Sequence, residues 1–148
     1  GAFVSGSVTS FNDASGDITL QLIPEGSSEV AYETTVKGNS VTYLFSNVVA
    51  GTYTLKVSKA NHVTREYTVV VGNSSVIQDV KIQLKGDVNG DGTINAKDKK
   101  IIYGHINDSS TELTGYIFDV GDVNKDGAIN AKDKKLIFGH ISGTSLWS

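Results

Sequence analysis

The chain has 148 residues, a formal net charge of −3, 39% hydrophobic residues, and neither Cys nor Met. That length allows one domain or two small ones, neither with a large core, so staples such as metal ions matter and disulfides are ruled out. The charges form no nucleic-acid patch, and the lack of a leader or a membrane-spanning run gives the expectation that residue 1 is a cut point in a longer chain.

From Ala2 to Leu84 the pattern has period two and is rich in Val, Thr, Tyr and Ile. It predicts strands near 2–10, 17–23, 30–36, 40–46, 52–59, 63–71 and 75–84, separated by turns such as Gly38-Asn39-Ser40 and Gly72-Asn73-Ser74. Seven short strands with this punctuation argue for an immunoglobulin-like β-sandwich. In Thr52-Tyr53-Thr54-Leu55-Lys56-Val57-Ser58, the residues Tyr53, Leu55 and Val57 share one face. No catalytic constellation emerges. His62 is the lone histidine of this half and reads as a surface residue on a strand edge. Tyr32, Tyr43, Tyr53 and Tyr67 fit either core packing or a sugar-gripping surface.

A duplication follows. The twenty residues from Asp87 to Ile106 return as Asp122 to Ile141, an offset of 35, and only the pairs 90/125, 93/128, 101/136 and 103/138 differ. Each copy places oxygen donors at loop positions 1, 3, 5, 9 and 12, namely Asp87, Asn89, Asp91, Asn95 and Asp98, then Asp122, Asn124, Asp126, Asn130 and Asp133. Position 7, Thr93 or Ala128, offers its backbone carbonyl, and Gly92 and Gly127 allow the sharp reversal at position 6. A hard cation takes six to eight oxygens at about 2.3 to 2.6 Å, and such a loop supplies them. The pattern points to two calcium ions rather than to magnesium, which prefers rigid octahedral sites, or to bare Asx turns that cap helices.

Before the first loop, Val80-Lys81-Ile82-Gln83-Leu84 alternates like a strand, and before the second lies Gly115-Tyr116-Ile117-Phe118-Asp119-Val120-Gly121. Neither reads as an amphipathic helix leading into its loop, so each repeat is a loop-then-helix half of an EF-hand, an F-hand. The helices are expected at about Asn95 to Ile106 and Asn130 to Ile141, with Asn95 and Asn130 as N-caps. At spacing i, i+4, Ile102 and Ile106 should share the side of Asp98, as Ile137 and Ile141 share that of Asp133. Another side of each helix carries Ala96, Lys97, Lys100, Tyr103 and Gly104, matched by Ala131, Lys132, Lys135, Phe138 and Gly139. A ring beside a Gly with cations nearby suits a partner-binding strip, while the same rings would also suit a core between two antiparallel helices. His105 and His140 read as cations complementing the helix dipole. Residues 107–114 suggest a short helix, and Leu146-Trp147 a clasp at the end of the chain.

With its duplication and its missing entering helices, the stretch 86–148 resembles the calcium-binding dockerin modules of bacterial cellulosomes. Residues 1–85, through Val4-Ser5-Gly6-Ser7-Val8 and Gly51-Thr52-Tyr53-Thr54-Leu55-Lys56-Val57-Ser58, look like the X module that precedes type II dockerins in scaffoldins, and suit carboxypeptidase-regulatory-like sandwiches as well. The resemblance implies two modules, an all-β sandwich at 1–85 and an α-helical dockerin at 86–148, joined at Lys85-Gly86. It implies a non-catalytic, secreted or cell-surface protein that binds a cohesin. In that family positions 10, 11, 14, 17 and 18 of each repeat make the contacts, which here are the two strips just named. Positions 10 and 11 are larger and apolar in the typical type II pattern, so the cohesin type stays open. Two near-identical strips related by a pseudo-twofold imply docking in two orientations. Two other readings stand beside this one: a calcium sensor, which would need paired helices and usually a Met-rich groove, and a carbohydrate-binding sandwich with the calcium module as its support.

Overall fold

Apolar residues at every second position, each flanked by turn residues, build the first half into strands. The structure is a computed structural model that describes residues 2–11, 15–107 and 113–141, and the chain divides into two units, Gly1–Ile82 and Gln83–Ser148. The first holds β1 (Ala2–Thr9), β2 (Asp17–Pro24), β3 (Tyr32–Lys37), β4 (Ser40–Val48), β5 (Gly51–Ser58), β6 (Arg65–Val71), β7 (Val76–Ile77) and β8 (Val80–Lys81). One sheet has the order β4-β1-β7 with β8 also pairing β1, and the other is β3-β2-β5-β6. Ile18, Leu20 and Leu22 of β2, Leu55 and Val57 of β5, and Val4 and Val8 of β1 are all fully buried in one cluster. Each such side chain contributes about 1.5 to 3 kcal/mol of burial. This is an all-β sandwich.

The expected seventh strand is two short ones. β7 and β8 both run parallel to β1, with Val4 opposite Val76 and Val8 opposite Val80, so the register is kept across the break. Between them the Asp79 carboxylate accepts the Ser7 N–H at 3.0 Å in place of a main-chain carbonyl. The Gln78 carbonyl turns instead to the Tyr43 hydroxyl at 2.6 Å. A Cβ on Gly6 would meet that carbonyl oxygen at 2.2 Å, which is why the chain passes so close only at a glycine.

The tyrosines pack rather than form a platform. Tyr43 and Tyr53 are buried, and the Tyr53 hydroxyl donates to the Val49 carbonyl at 2.6 Å. Tyr32 accepts the Val49 N–H, and Tyr67 both donates to and accepts from the Lys81 backbone. His62 is not the surface residue expected: it is only 4% exposed. Its Nδ1 bonds the Ala60 carbonyl at 2.8 Å and its Nε2 accepts the Phe11 N–H at 3.0 Å. Beside it the buried Lys59 Nζ donates to Ser10 Oγ, the Phe11 carbonyl and Asn39 Oδ1.

The second unit has three helices, α1 (Ala96–Asn107), α2 (Gly115–Gly121) and α3 (Ala131–Ile141). Among the described residues no helix is long and apolar enough to cross a membrane. α2 corrects the sequence reading, since a short helix does lead into the second loop. Its cap residue Thr114 makes no side-chain bond and glycines stand at both ends, so the usual start signals are missing. What holds it is burial of Val120, with the Asp122 N–H donating to the Phe118 carbonyl at 2.9 Å. Ile102 and Ile137 are fully buried, whereas Ile106 and Ile141 are 37% and 41% exposed. The i, i+4 argument fails at its second step because four residues turn a helix by about 400°, and the drift accumulates. The short helix expected at 107–114 falls largely, and Leu146-Trp147 wholly, outside the described residues.

Candidate functional site

The two repeats fold into the same loop twice. Gly92 and Gly127 take φ of +88° and +87°, the left-handed region where a Cβ is strained. Position 4 also needs a positive φ, supplied by Gly90 at +69° and by Lys125 at +59°. The lysine accepts that conformation at a cost of about 1 kcal/mol, and its Nζ is anchored on the Asp119 carbonyl at 2.7 Å.

Within each loop the structure gathers three carboxylates, Asp87, Asp91 and Asp98 in one and Asp122, Asp126 and Asp133 in the other, with donor oxygens within 4.8 Å of one another. Asp87, Asp98 and Asp133 are fully buried and Asp122 is 4% exposed. Asp98 spans its loop, accepting the Asn89 N–H at 3.2 Å on one oxygen and the Asn95 N–H at 3.0 Å on the other. Asp133 does the same with Asn124 and Asn130, at 3.4 and 2.9 Å. Asp87 Oδ2 accepts the Gly92 N–H and Asp122 Oδ2 the Gly127 N–H, both at 2.9 Å. Asn89 and Asn124 are exposed and bond the neighbouring Asp91 and Asp126. Asn95 and Asn130 turn their side-chain oxygens to the Lys97 and Lys132 N–H groups at 3.0 Å, the expected N-caps. Thr93 and Ala128 are exposed, with their N–H groups on Asp91 and Asp126.

The electrostatics set the buried carboxylates apart from the exposed ones. Burial pushes the Asp87 carboxyl up to about 6, and the charges of Asp98 and Asp91 push in the same direction. Burial likewise raises Asp98 and Asp133. Asp91 and Asp126, out in solvent, are held below the ordinary range by the N–H groups of Thr93 and Ala128. Asp87 Oδ1 is buried with no hydrogen-bond partner among the described residues. A buried, unpartnered carboxylate oxygen facing two more carboxylates is costly as it stands, and a hard divalent ion would satisfy all three. Each of the two acidic clusters is therefore a set of residues that could hold an ion.

α1 and α3 follow the loops and cross in opposite directions, since Lys99 meets Phe138 while Tyr103, one turn further on, meets Lys134. Of the strip residues, Ala96, Lys97, Lys100, Ala131, Lys132 and Lys135 are exposed, and Gly104 and Gly139 are half-buried. Tyr103 and Phe138 are 53% and 51% exposed, so they are not core between the helices. Lys99 Nζ lies 4.5 Å from the Phe138 ring centre and Lys134 Nζ 4.7 Å from that of Tyr103, within cation–π range. The sequence reading missed these two lysines. Their i, i+4 spacing to Tyr103 and Phe138 was the available signal, but it points along one helix, and the partner ring is on the other. His105, in the last turn of α1, also has contacts the sequence did not show: its Nδ1 accepts the Leu113 N–H at 2.8 Å and its ring packs edge-on against Phe118.

Comparison with known proteins agrees with this geometry. Residues 85–142 match the dockerin type I domain, and residues 1–85 match the BOS complex subunit NOMO1-like second beta sandwich domain. None of the curated proteins matches significantly. Among solved structures, the chain is similar to a C-terminal interface mutant of a type II cohesin-X-dockerin complex from Acetivibrio cellulolyticus, at 26% identity and a TM-score of 0.45 over 95% of each chain. An N-terminal interface mutant of the same complex gives 24% identity, with the same score and coverage. Over residues 1–85 the chain thus belongs to the NOMO1-like second β-sandwich family, and its residues 85–142 match the dockerin type I domain.

Proposed function

We propose that this chain is a non-catalytic docking module that binds two calcium ions and, when loaded, a cohesin, attaching a larger protein to a cellulosome or to a bacterial cell surface. The observation that carries the reading is the pair of matching acidic loops inside a dockerin domain, with the buried Asp87 oxygen left without a protein partner. In the first loop Asp87, Asn89, Asp91, Asp98, the Thr93 carbonyl and Asn95 would hold the ion; in the second Asp122, Asn124, Asp126, Asp133, the Ala128 carbonyl and Asn130 would do so. The ions supply order: they neutralise carboxylates that otherwise repel, and so fix the start of α1 and α3. The module boundary lies at 85/86, the sandwich is immunoglobulin-like, and the site of action is extracellular, where calcium is plentiful. Docking uses the strips Ala96, Lys97, Lys100, Tyr103, Gly104 and Ala131, Lys132, Lys135, Phe138, Gly139, in two orientations exchanged by the pseudo-twofold.

The test is capture of the full chain by immobilised type I and type II cohesins with calcium and with excess chelator. The expected result is capture by at least one cohesin in calcium and loss of it in chelator. Failure of every cohesin to capture the calcium-loaded chain would contradict the proposal.

A further inference from the structure

A β-sheet is unsaturated at its edges, where a row of main-chain N–H and C=O groups faces outward and can pair with another strand. The sandwich has four such edges, and three of them carry a device that blocks a further strand. β3 is six residues long and bears the exposed charges of Glu33 and Lys37. On β6, Arg65 Nη1 donates to the Lys81 carbonyl at 3.0 Å, and the Tyr67 hydroxyl bonds both backbone groups of Lys81, which ties that side of the sandwich to β8. β7 and β8 are only two residues each.

β4 has no such guard. It runs nine residues, Ser40–Val48, with no charged residue and no proline. One side pairs with β1 from Ser40 to Val48, and among the described residues nothing bonds its backbone on the other. Thr42, Leu44 and Ser46 are exposed, Leu44 by 54%. Leu44 also stands in one row with Ser5 and Ile77 across β4, β1 and β7, and Ile77 is 76% exposed. The row is uncharged and apolar at both ends.

What fits this edge is a copy of itself. Leu44 is the middle residue of β4, so an antiparallel pairing about a twofold at Leu44 matches two copies of the strand over their full length. β3 supplies the charge complementarity. It lies beside β4 in the opposite direction: Gly38-Asn39 joins the two, and at the far end the Tyr32 hydroxyl accepts the Val49 N–H at 3.0 Å. Lys37 therefore stands level with the start of β4 and Glu33 near its end. The twofold brings Glu33 of each copy toward Lys37 of the other, an opposite-charge pair made twice. An edge about 30 Å long and roughly 20 Å through both sheets covers about 600 Å² per copy, about 1,200 Å² in all, the low end of specific interfaces.

We propose that β4 is a self-association edge, at which two copies of this chain pair β4 to β4 antiparallel about Leu44 and join their β4-β1-β7 sheets into one continuous sheet, forming a weak dimer. The surface belongs to the first unit alone and does not depend on the cohesin-docking reading.

The experiment is sedimentation equilibrium of the calcium-loaded full chain from about 1 µM to about 500 µM. The expected result is reversible dimerisation in the micromolar range, weakened about tenfold or more by Leu44→Lys, which sets like charges against each other at the axis. Thr68→Lys on β6 should leave it unchanged. Glu33→Lys should weaken the dimer, and adding Lys37→Glu should restore it, because the twofold pairs these two positions. The chain has no Cys, so Leu44→Cys introduces a single thiol. Residues directly opposite in an antiparallel pair have Cβ atoms about 4.5 to 5.5 Å apart, near disulfide reach, so oxidation should crosslink this variant and not Val70→Cys, which lies on β6. Urea unfolding checks that the variants fold. A chain that stays monomeric throughout overturns the proposal, as does a dimer that Leu44→Lys leaves intact or that Leu44→Cys fails to crosslink. If the chain alone is monomeric while Leu44→Lys weakens its capture by a cohesin, the edge serves a different partner, and the second copy is likewise ruled out.

Discussion

Asp98 and Asp133 each tie the start of a loop to the helix that leaves it. One oxygen holds the N–H at position 3 and the other the N–H of the N-cap residue, so the residue that closes an acidic loop also starts a helix. Asp98→Asn keeps the shape and removes the charge. It should reduce calcium stoichiometry by one ion and lower stability by about 2.7 kcal/mol at calcium 100 times the dissociation constant, checked by calorimetry and by chemical denaturation in calcium. His62 makes a second prediction. Burial lowers its pKa from the ordinary 6.5, and the charge of nearby Lys59 adds to this against the opposing bond to the Ala60 carbonyl. The unfolded chain then binds the proton more readily than the folded one, so the sandwich loses stability as pH falls from 6.5 toward the lowered folded value. The slope is at most about 1.4 kcal/mol per pH unit, and His62→Gln should flatten it in urea titrations of the full chain across that window. The loop aspartates were legible because their spacing repeats. His62 was not, because its partner Phe11 lies 51 residues away in the chain and a lone histidine carries no period.

At the level of elements, amphipathic periodicity placed β1 to β6 and both repeat helices, since burying one face fixes register and face together. It failed where main-chain partners decide the outcome, at the break between β7 and β8 and at α2, whose flanking glycines hide it. The helix glycines sharpen the same point. A glycine inside a helix costs about 1 kcal/mol relative to Ala, and a Cβ built on Gly139 meets nothing within 4 Å. Packing inside the described chain gives no reason for it, and a partner docked closely on this face would supply one. Gly139→Ala should raise stability by up to about 1 kcal/mol and weaken cohesin binding, measured by thermal unfolding and by titration of the cohesin. Unchanged binding would remove the partner explanation. Gly121 is the opposite case: a Cβ there would come within 2.9 Å of Ile102 and Ile129, so that glycine is a packing residue.

For the whole molecule, the duplication is what the sequence displays most openly, and two matching acidic loops with two look-alike helices follow from it directly. The pairing of the helices was hidden, because Lys99 with Phe138 and Lys134 with Tyr103 are contacts across the pseudo-twofold rather than along one repeat. If either strip suffices for docking, Ala96→Glu with Lys97→Glu removes one of two equal orientations and lowers affinity only about twofold, roughly 0.4 kcal/mol. Adding Ala131→Glu with Lys132→Glu should then abolish binding, and a collapse after the first pair alone would show a single orientation. The most direct measurement is a calcium titration of the chelator-stripped full chain, by calorimetry and far-ultraviolet circular dichroism together. Two ions bound per chain, with a gain of helical signal, is the predicted result; no calcium uptake at either loop, with the helical signal unchanged throughout, would contradict it.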